Sequence, residues 1–327
     1  MAALGEFELI DRFFRRPTSH TVLGVGDDAA LLAPTPGHEL AVSVDMLVAG
    51  RHFFEDVDPE ALGHKTLAVN LSDMAAMGAT PRWALLAGAL PESDATWLGA
   101  FARGFFALAD AYDVDLVGGD TTRGPLNLCV TILGEVPPGQ ALRRSGARPG
   151  DAIYVSGSLG AAALAVARHR GRTVLTREEL AGCEQALLRP IPRVALGEAL
   201  RGIATAAIDV SDGLVGDLGH VLDASAVGAS LDLAAMPRPA AIGRLLAGAE
   251  RELALFCLLA GGDDYELCFT APGHCARAVA ALAEQLELSL TRIGTIEPRP
   301  GLVVMDEHGH VLTPLPRAFD HFAGTAP

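Results

Sequence analysis

Residues 38–50 read HELAVSVDMLVAG, and residues 58–79 read DPEALGHKTLAVNLSDMAAMGA. The first stretch predicts a strand, because successive side chains of a strand point to opposite faces. Ser43 and Asp45 then share one face of that strand, and Val44 lies on the other. The second stretch predicts a helix, and a strand followed by a helix is typical of folds that mix both kinds of element.

The predicted helix within residues 58–79 is apolar almost all round, which is typical of a helix buried in a protein core. Asp73 interrupts this apolar surface beside Leu71 and Met74, where no helix end requires a capping carboxylate. Helical spacing places Asp73 on the same stripe as Asn70. A carboxylate inside an apolar helix therefore needs an explanation other than capping.

Strand and helix patterns recur in both halves of the chain, so we expect an α/β (α+β) fold. One further helix is predicted over residues 93–113, with Ser93 as its N-cap. Residues 137–151 are rich in Pro, Gly and Arg, which indicates a junction between domains. We expect the domains at residues 1–140 and 141–327, because 327 residues suit about two domains.

The chain is acidic, with a formal net charge of −15. An acidic surface repels nucleic acid and anionic membranes, so we expect neither as a partner. The sequence shows no signal peptide and no apolar run as long as a membrane span. The chain has 5 cysteines without CxxC spacing, a pattern that favours a reducing compartment. We therefore expect a cytoplasmic protein.

Aspartates recur at strand ends, in glycine turns and within the apolar helix. The most conspicuous are Asp28, Asp45, Asp73, Asp120, Asp209 and Asp212. Any one of them has an ordinary alternative explanation, since aspartate often caps a helix or closes a turn. Their number favours a different interpretation, in which the carboxylates meet at one site.

Carboxylates that meet must be neutralised by protons or by cations. Two unit charges about 4 Å apart repel by about 4 kcal/mol at an effective dielectric constant near 20. Several such pairs would exceed the stability of an ordinary domain. Hard carboxylate oxygens without a cluster of Cys or His favour Mg²⁺, and Mg²⁺ on proteins commonly shares its ligands with phosphates. The pattern therefore predicts several magnesium ions on a polyphosphate.

The sequence contains neither a GxxxxGK[ST] loop nor a GxGxxG turn. A nucleotide would then depend on metal ions to meet its phosphate charge, with Arg144 and the backbone of Gly119 as candidate direct contacts. Arg144 has an alternative role as a solvated surface residue. Residues 155–165, VSGSLGAAALA, have two explanations as well: a phosphate-binding helix N-terminus, or a plain strand-to-helix turn, which we favour.

These motifs together resemble thiamine-monophosphate kinases, a family of the aminoimidazole ribonucleotide synthetase superfamily. The resemblance runs in order from about residue 4 to residue 322. It rests on GVGDDAALL (24–32), VSVDMLVAGRHF (42–53), KTLAVNLSDMAAMGATP (65–81), LVGGDTTRGP (116–125), RSGARPGD (144–151), IDVSDGL (208–214), GGDDYELCF (261–269) and FDHF (319–322).

The resemblance implies a two-domain PurM-like architecture and a homodimer formed through the N-terminal domain. It implies that residues 1–140 bind ATP and Mg²⁺, and that residues 141–327 complete the nucleotide and substrate site. The implied reaction is the ATP-dependent phosphorylation of thiamine monophosphate to thiamine diphosphate, by direct in-line transfer without a phosphoenzyme. ATP is then a co-substrate, and several Mg²⁺ ions are the cofactor.

The family's functional residues are carried over by position. The implied metal ligands are Asp28, Ser43, Val44, Asp45, Asp73, Asp120, Asp209 and Asp212. The implied nucleotide contacts are Gly119, Asp120, Arg144 and Ser211, and the implied contacts to thiamine phosphate are His52, Asp263 and Phe319. Phe319 would offer an aromatic face to the cationic thiazolium ring.

Two positions depart from the family pattern. Val44 stands where many relatives have a threonine that serves a metal, so any contribution from position 44 must come through its carbonyl. Asp263 stands where glutamate is usual and has a shorter reach. Both departures concern single ligands, and the acidic cluster is otherwise complete.

Related enzymes are the first alternatives. A selenophosphate synthetase would need an N-terminal Cys near a Lys, and the first cysteine here is Cys129. The hydrogenase-maturation relative ends in a cysteine motif, whereas this chain ends AGTAP. Aminoimidazole ribonucleotide synthetase remains the runner-up enzyme, and a non-catalytic protein that binds metal or nucleotide is the alternative from another class.

Overall fold

The structure is a computed structural model, and it describes residues 5–318. The chain divides into two compact units. The N-terminal unit comprises Met1–Met74 and Ala79–Gly139, and the C-terminal unit comprises Ala75–Gly78 and Gln140–Pro327. Each unit mixes strands and helices, as the sequence predicts.

The N-terminal unit is built on a sheet of strand order β3-β6-β4-β5, in which β4 and β5 are parallel and the other pairs are antiparallel. Two short strands, β1 and β2, pair separately. The elements are α1 (Glu6–Phe13), β1 (Thr21–Leu23), β2 (Leu31–Leu32), β3 (Glu39–Val48), α2 (Pro59–Ala76), β4 (Thr80–Leu90), α3 (Ala95–Ala111), β5 (Asp115–Arg123) and β6 (Asn127–Val136).

Helices α2 and α3 touch backbone to backbone. A Cβ on Gly63 would overlap the carbonyl oxygen of Phe101, and a Cβ on Gly104 would overlap that of Glu60. Glycine at these positions therefore permits the close approach. Helix α3 begins one residue later than the sequence predicts: its N-cap is Asp94, whose carboxylate accepts the N–H of Thr96, and not Ser93.

The C-terminal unit is built on a sheet of strand order β12-β9-β11-β7-β10-β8, in which β12 and β9 are parallel and the other pairs are antiparallel. The elements are β7 (Ala152–Ser156), α4 (Ala161–His169), α5 (Arg177–Leu188), α6 (Val194–Ala199), β8 (Ala206–Asp209), α7 (Leu214–Ser225), β9 (Gly228–Asp232), α8 (Ala240–Leu246), α9 (Arg251–Ala260), β10 (Leu267–Ala271), α10 (Ala276–Gln285), β11 (Leu290–Glu297) and β12 (Gly301–Met305).

The core of each unit is formed by apolar side chains from its sheet and helices. Trp83 and Phe105 are buried in the N-terminal unit, and Phe269 and Ile153 are buried in the C-terminal unit. Among residues 5–318, no helix has both the length and the apolar character that a membrane span requires.

Candidate active site

In the N-terminal unit, strand β3 meets helix α2 through two polar contacts. The hydroxyl of Ser43 donates to Oδ2 of Asp73 at 2.5 Å. The backbone N–H of Asp45 donates to Oδ1 of Asn70 at 3.1 Å. Alternation along β3 and the helical spacing of Asn70 and Asp73 put these groups on facing surfaces. The structure therefore brings Ser43, Asp45 and Asp73 together.

Val44 is directed to the other face of β3 and is 58% exposed, whereas Ser43 and Asp45 are partly buried. The carboxylate of Asp45 is also close enough to Cys129 of β6 to affect it: burial first, and then the Asp45 charge, raise the pKa of the Cys129 thiol. The Asp45 carboxylate therefore lies on the side of β3 that faces Cys129 of the neighbouring strand β6.

The remaining predicted ligands of this unit lie on other elements. Asp28 is exposed in the turn between β1 and β2. Asp120 is exposed on β5, which the sheet order separates from β3 by three strand spacings, or about 14 Å. One cation cannot bridge such a distance. Across residues 5–318, no three His, Cys, Asp or Glu side chains gather closely enough to hold a metal by themselves.

Gly119 precedes Asp120 on β5, and no side chain fits there, because a Cβ would overlap the carbonyl oxygen of Leu86 on β4. His52 follows the end of β3, where its Nδ1 accepts the N–H of Val48 at 3.0 Å. This contact assigns the acceptor role to Nδ1 and leaves the Nε2 atom as the proton carrier in the neutral ring.

In the C-terminal unit, the strand end at Asp209 and the turn that follows it carry several predicted site residues. Asp209 is buried at the end of β8 and pairs with Leu267 of β10. The N–H of Asp263 donates to the carbonyl oxygen of Ser211 at 2.7 Å. The segments that contain Asp209, Ser211, Asp212 and Asp263 therefore run side by side.

Sequence reasoning missed Asp217, which holds the turn in place. Its Oδ2 accepts the N–H groups of Ser211, Asp212 and Gly213 at 3.0, 3.0 and 3.1 Å. Burial and the nearby charge of Asp212 raise the pKa of Asp217 to about 7, although the three N–H donors oppose the shift. The available signal was its position: an aspartate in the first turn of the helix that follows a Ser-Asp-Gly turn.

The segment of residues 155–165 leads into α4. At the N-terminus of this helix, a backbone N–H group already has a partner within the chain. The N–H of Gly160 donates to Oδ1 of Asp264 at 2.8 Å. Burial raises the pKa of Asp264 well above its usual value, while the Gly160 N–H opposes that change. A carboxyl group of the chain itself thus lies where a phosphate would bind, which favours the plain-turn interpretation.

Arg144 lies in an exposed turn over residues 143–147 of the C-terminal unit. The remaining predicted contact, Phe319, lies outside the described residues. Each unit thus carries its own subset of the predicted ligands: Ser43, Asp45 and Asp73 in one, and Asp209, Ser211, Asp212 and Asp263 in the other.

Family comparison agrees with this division. Residues 26–136 match the model "AIR synthase related protein, N-terminal domain", and residues 148–307 match "AIR synthase related protein, C-terminal domain". Thiamine-monophosphate kinase of Salmonella typhimurium is 47% identical over 325 residues, covering 98% of this chain and 99% of that protein. The enzyme of Bacillus subtilis is 34% identical over 305 residues, covering 90% and 92%.

Solved structures show the same likeness. Thiamine-monophosphate kinase from Stenotrophomonas maltophilia K279a superposes with a TM-score of 0.84 at 48% identity, covering 95% of this chain and 99% of that chain. AaThiL complexed with AMPPCP and TMP superposes with a TM-score of 0.75 at 28% identity, covering 97% of each chain.

Proposed function

The chain belongs to the thiamine-monophosphate kinases among the AIR synthase related proteins, and from that premise we propose how its residues carry out the reaction. It is a kinase that acts on thiamine monophosphate, with ATP as its co-substrate. The proposed step is a direct, magnesium-dependent transfer of the γ-phosphoryl group of ATP to the phosphate of thiamine monophosphate. The product is thiamine diphosphate.

The observation that carries the metal assignment is the contact between Ser43 and Asp73, with Asp45 on the same face of β3. These side chains supply hydroxyl and carboxylate oxygens, which are hard donors that suit Mg²⁺. Mg²⁺ commonly takes one or two protein carboxylates and completes its shell with phosphates and water. A group of this size therefore fits a magnesium ion that also holds a nucleotide.

Several ions are needed, because the sheet keeps Asp120 about 14 Å from β3. We assign Asp28, Val44 (through its carbonyl), Asp120, Asp209 and Asp212 to the same set of ions along the triphosphate. When bound, the ions neutralise the charge that develops on the transferring phosphoryl group. The protein's own part is to hold its oxygens in place, as Asn70 does for the Asp45 backbone and Asp217 does for the turn at Ser211–Gly213.

The nucleotide contacts are assigned to Gly119, Asp120, Arg144 and Ser211, and the substrate contacts to His52, Asp263 and Phe319. AaThiL complexed with AMPPCP, an analogue of ATP, and TMP supports a site for both molecules on this fold. The packing of β5 against β4 itself requires glycine at position 119, because a Cβ there would overlap the carbonyl oxygen of Leu86.

The transfer needs little help from a general base. A phosphate monoester loses its second proton with a pKa near 6, so the acceptor oxygen of thiamine monophosphate is largely ionised at neutral pH. Positioning and charge neutralisation then supply most of the rate enhancement. We assign no residue to proton abstraction for this reason.

The exposed face of β3 supports a homodimer. Leu40, Val42, Val44 and Met46 form an apolar stripe along an edge strand, and each is 45–61% exposed. An edge strand with such a face is prone to pair with another chain, and a second copy would cover it. A cytoplasmic location is supported by the cysteines, all of which are unpaired.

The activity is tested with purified protein, γ-³²P-labelled ATP and thiamine monophosphate, with and without Mg²⁺. We expect labelled thiamine diphosphate with Mg²⁺, none in excess chelator, and recovery when Mg²⁺ is restored. Product at the level of a no-enzyme control would refute the kinase assignment, and full activity in chelator would refute the metal assignment.

The in-line step is tested with ATP made chiral at its γ-phosphorus. A single direct displacement inverts the configuration at phosphorus. Retention in the thiamine diphosphate formed would indicate two displacements through a phosphoenzyme, and would contradict the direct transfer.

A further inference from the structure

The turn at residues 143–147 is closed by a single hydroxyl group. The O–H of Ser225, the last residue of α7, donates to the carbonyl oxygen of Arg144 at 3.2 Å. The same Oγ accepts the N–H of Gly146 at 3.1 Å and the N–H of Ala147 at 3.2 Å. A serine hydroxyl has one proton and two lone pairs, so these three bonds use its full capacity.

The turn is also fixed from the side of the sheet. The N–H of Ala207, on β8, donates to the carbonyl oxygen of Arg143 at 2.9 Å. Gly146 has φ +126°, and a Cβ there would overlap the carbonyl oxygen of Thr205. The backbone on both sides of Arg144 is therefore held by β8 and by the end of α7.

The side chain of Arg144 is in a different situation from its backbone. It is exposed, and among residues 5–318 its guanidinium has no hydrogen-bonding or ionic partner. Because the backbone of the turn is already fixed, Arg144 loses mainly side-chain freedom when it binds an anion. Arginine suits phosphate, since its planar fork of donors matches the phosphate oxygens.

We propose that Ser225 is a positioning residue for the nucleotide, which fixes the turn that presents the Arg144 guanidinium to the phosphates of ATP. The inference rests on the proposed function through the assignment of Arg144. It also gives α7 a defined role: Asp217 in its first turn holds the backbone of Ser211–Gly213, and Ser225 at its end holds the turn of Arg144. The two residues are eight positions apart, about 12 Å along the helix axis.

The test is a double-mutant cycle of nucleotide binding, measured by calorimetry with AMPPCP and Mg²⁺ on the full chain. We expect Ser225→Ala and Arg144→Ala each to raise the dissociation constant, Ser225→Ala by about tenfold, since the turn loses the hydrogen bonds that fix its backbone while the arginine itself remains. The double variant should bind no more weakly than Arg144→Ala alone, because the turn matters only through the arginine. Additive effects in the double variant would overturn the proposal.

Steady-state kinetics supply a readout that a general loss of stability would not give. In Ser225→Ala the KM for ATP should rise about tenfold, while kcat and the KM for thiamine monophosphate at saturating ATP stay within about twofold. Ser225→Thr keeps the hydroxyl and should restore binding to within about threefold of wild type. A rise of both KM values together, or a threonine variant as weak as the alanine variant, would overturn the positioning role.

Two results separate this inference from the proposed function. If Ser225→Ala binds AMPPCP normally while Arg144→Ala binds it weakly, the positioning role is wrong and the assignment of Arg144 stands. If Arg144→Ala itself binds normally, the assignment of Arg144 is wrong and the inference is overturned with it. Ser230→Ala, which removes a hydroxyl from β9 in the same unit, is the matched control and should leave the dissociation constant unchanged.

Discussion

Asp73 is the residue whose chemistry is hardest to explain without a ligand. It interrupts a helix whose other side chains are largely buried, and it accepts the Ser43 hydroxyl on the face that also carries Asp45. A carboxylate in such surroundings costs free energy unless it is paired. The proposed magnesium ion would bind this carboxylate in addition to the Ser43 hydroxyl, which would explain why the helix retains an acidic group.

Asp73→Asn should therefore lower kcat by about 100-fold or more, because it removes a charge from the metal group and retains the shape of the side chain. The far-ultraviolet circular dichroism and the urea midpoint should match those of wild type. Asp223→Asn, on an exposed part of α7, is the matched control and should retain full turnover. Loss of activity through unfolding would show instead that Asp73 is structural.

Glu307 offers a test of local electrostatics away from the site. Its Oε1 and Oε2 atoms accept hydrogen bonds from Nη1 and Nη2 of Arg251, at 2.8 and 2.7 Å respectively. These hydrogen bonds lower the pKa of Glu307 to about 2. A carboxylate whose pKa is lower in the folded state than in the unfolded state stabilises the folded protein. This stabilisation is fully present above the unfolded-state pKa of about 4.3, and it is lost as the pH falls toward about 2.

Glu307→Gln should accordingly lower the free energy of unfolding at pH 7 by about 1 kcal/mol, a modest value because the pair is partly exposed. The difference from wild type should shrink between pH 4 and pH 3. Urea unfolding of both proteins at several pH values measures this difference in the free energy of unfolding. A difference that stays constant down to pH 3 would mean that the carboxylate charge is not its source.

Among the elements, helices α2 and α3 depend on glycine at their crossing. Gly104→Ala should reduce the free energy of unfolding by about 1–3 kcal/mol, because its Cβ meets the carbonyl oxygen of Glu60 and the helices must separate. Gly99→Ala on the same helix has ordinary contacts and should stabilise by about 1 kcal/mol through helix propensity. Equal effects of the two substitutions in urea unfolding would contradict the packing argument.

The elements also show what local sequence patterns can and cannot predict. Alternation placed Ser43 and Asp45 on one face of β3, and helical spacing placed Asn70 and Asp73 on one stripe of α2, but the contact between the two faces came from the structure. The N-cap of α3 was missed by one residue, because Ser93 and Asp94 are both good caps. The short helices α6 and α8 were not predicted, since 6 and 7 residues give too few turns for a periodic pattern.

Contacts between distant segments could not be predicted from one sequence. Gly146 and Ser225 are 79 positions apart, and nothing in either segment indicates the other. Asp217 was not singled out, although it accepts three successive N–H groups. The motifs thus predict which residues contact ligands, and only the fold indicates which residues hold those segments in position.

For the molecule as a whole, the apolar stripe of β3 predicts the oligomeric state. The wild-type protein should have the mass of a dimer in sedimentation experiments, and Val42→Asp should give a monomer, because it places a charge in the middle of the covered face. Val174→Asp, at a position 79% exposed in the C-terminal unit, is the matched control and should remain dimeric. A dimeric Val42→Asp variant would show that the β3 face is not the interface.

The proposed mechanism requires that the aspartates of this chain hold divalent cations beside the triphosphate of ATP. Mn²⁺ replaces Mg²⁺ in sites of oxygen ligands and can be counted by electron paramagnetic resonance. With AMPPCP present at saturation, we expect wild-type protein to bind more Mn²⁺ than the nucleotide binds alone, and Asp73→Asn to lose part of that excess. The same number of bound ions with and without the protein would contradict the account.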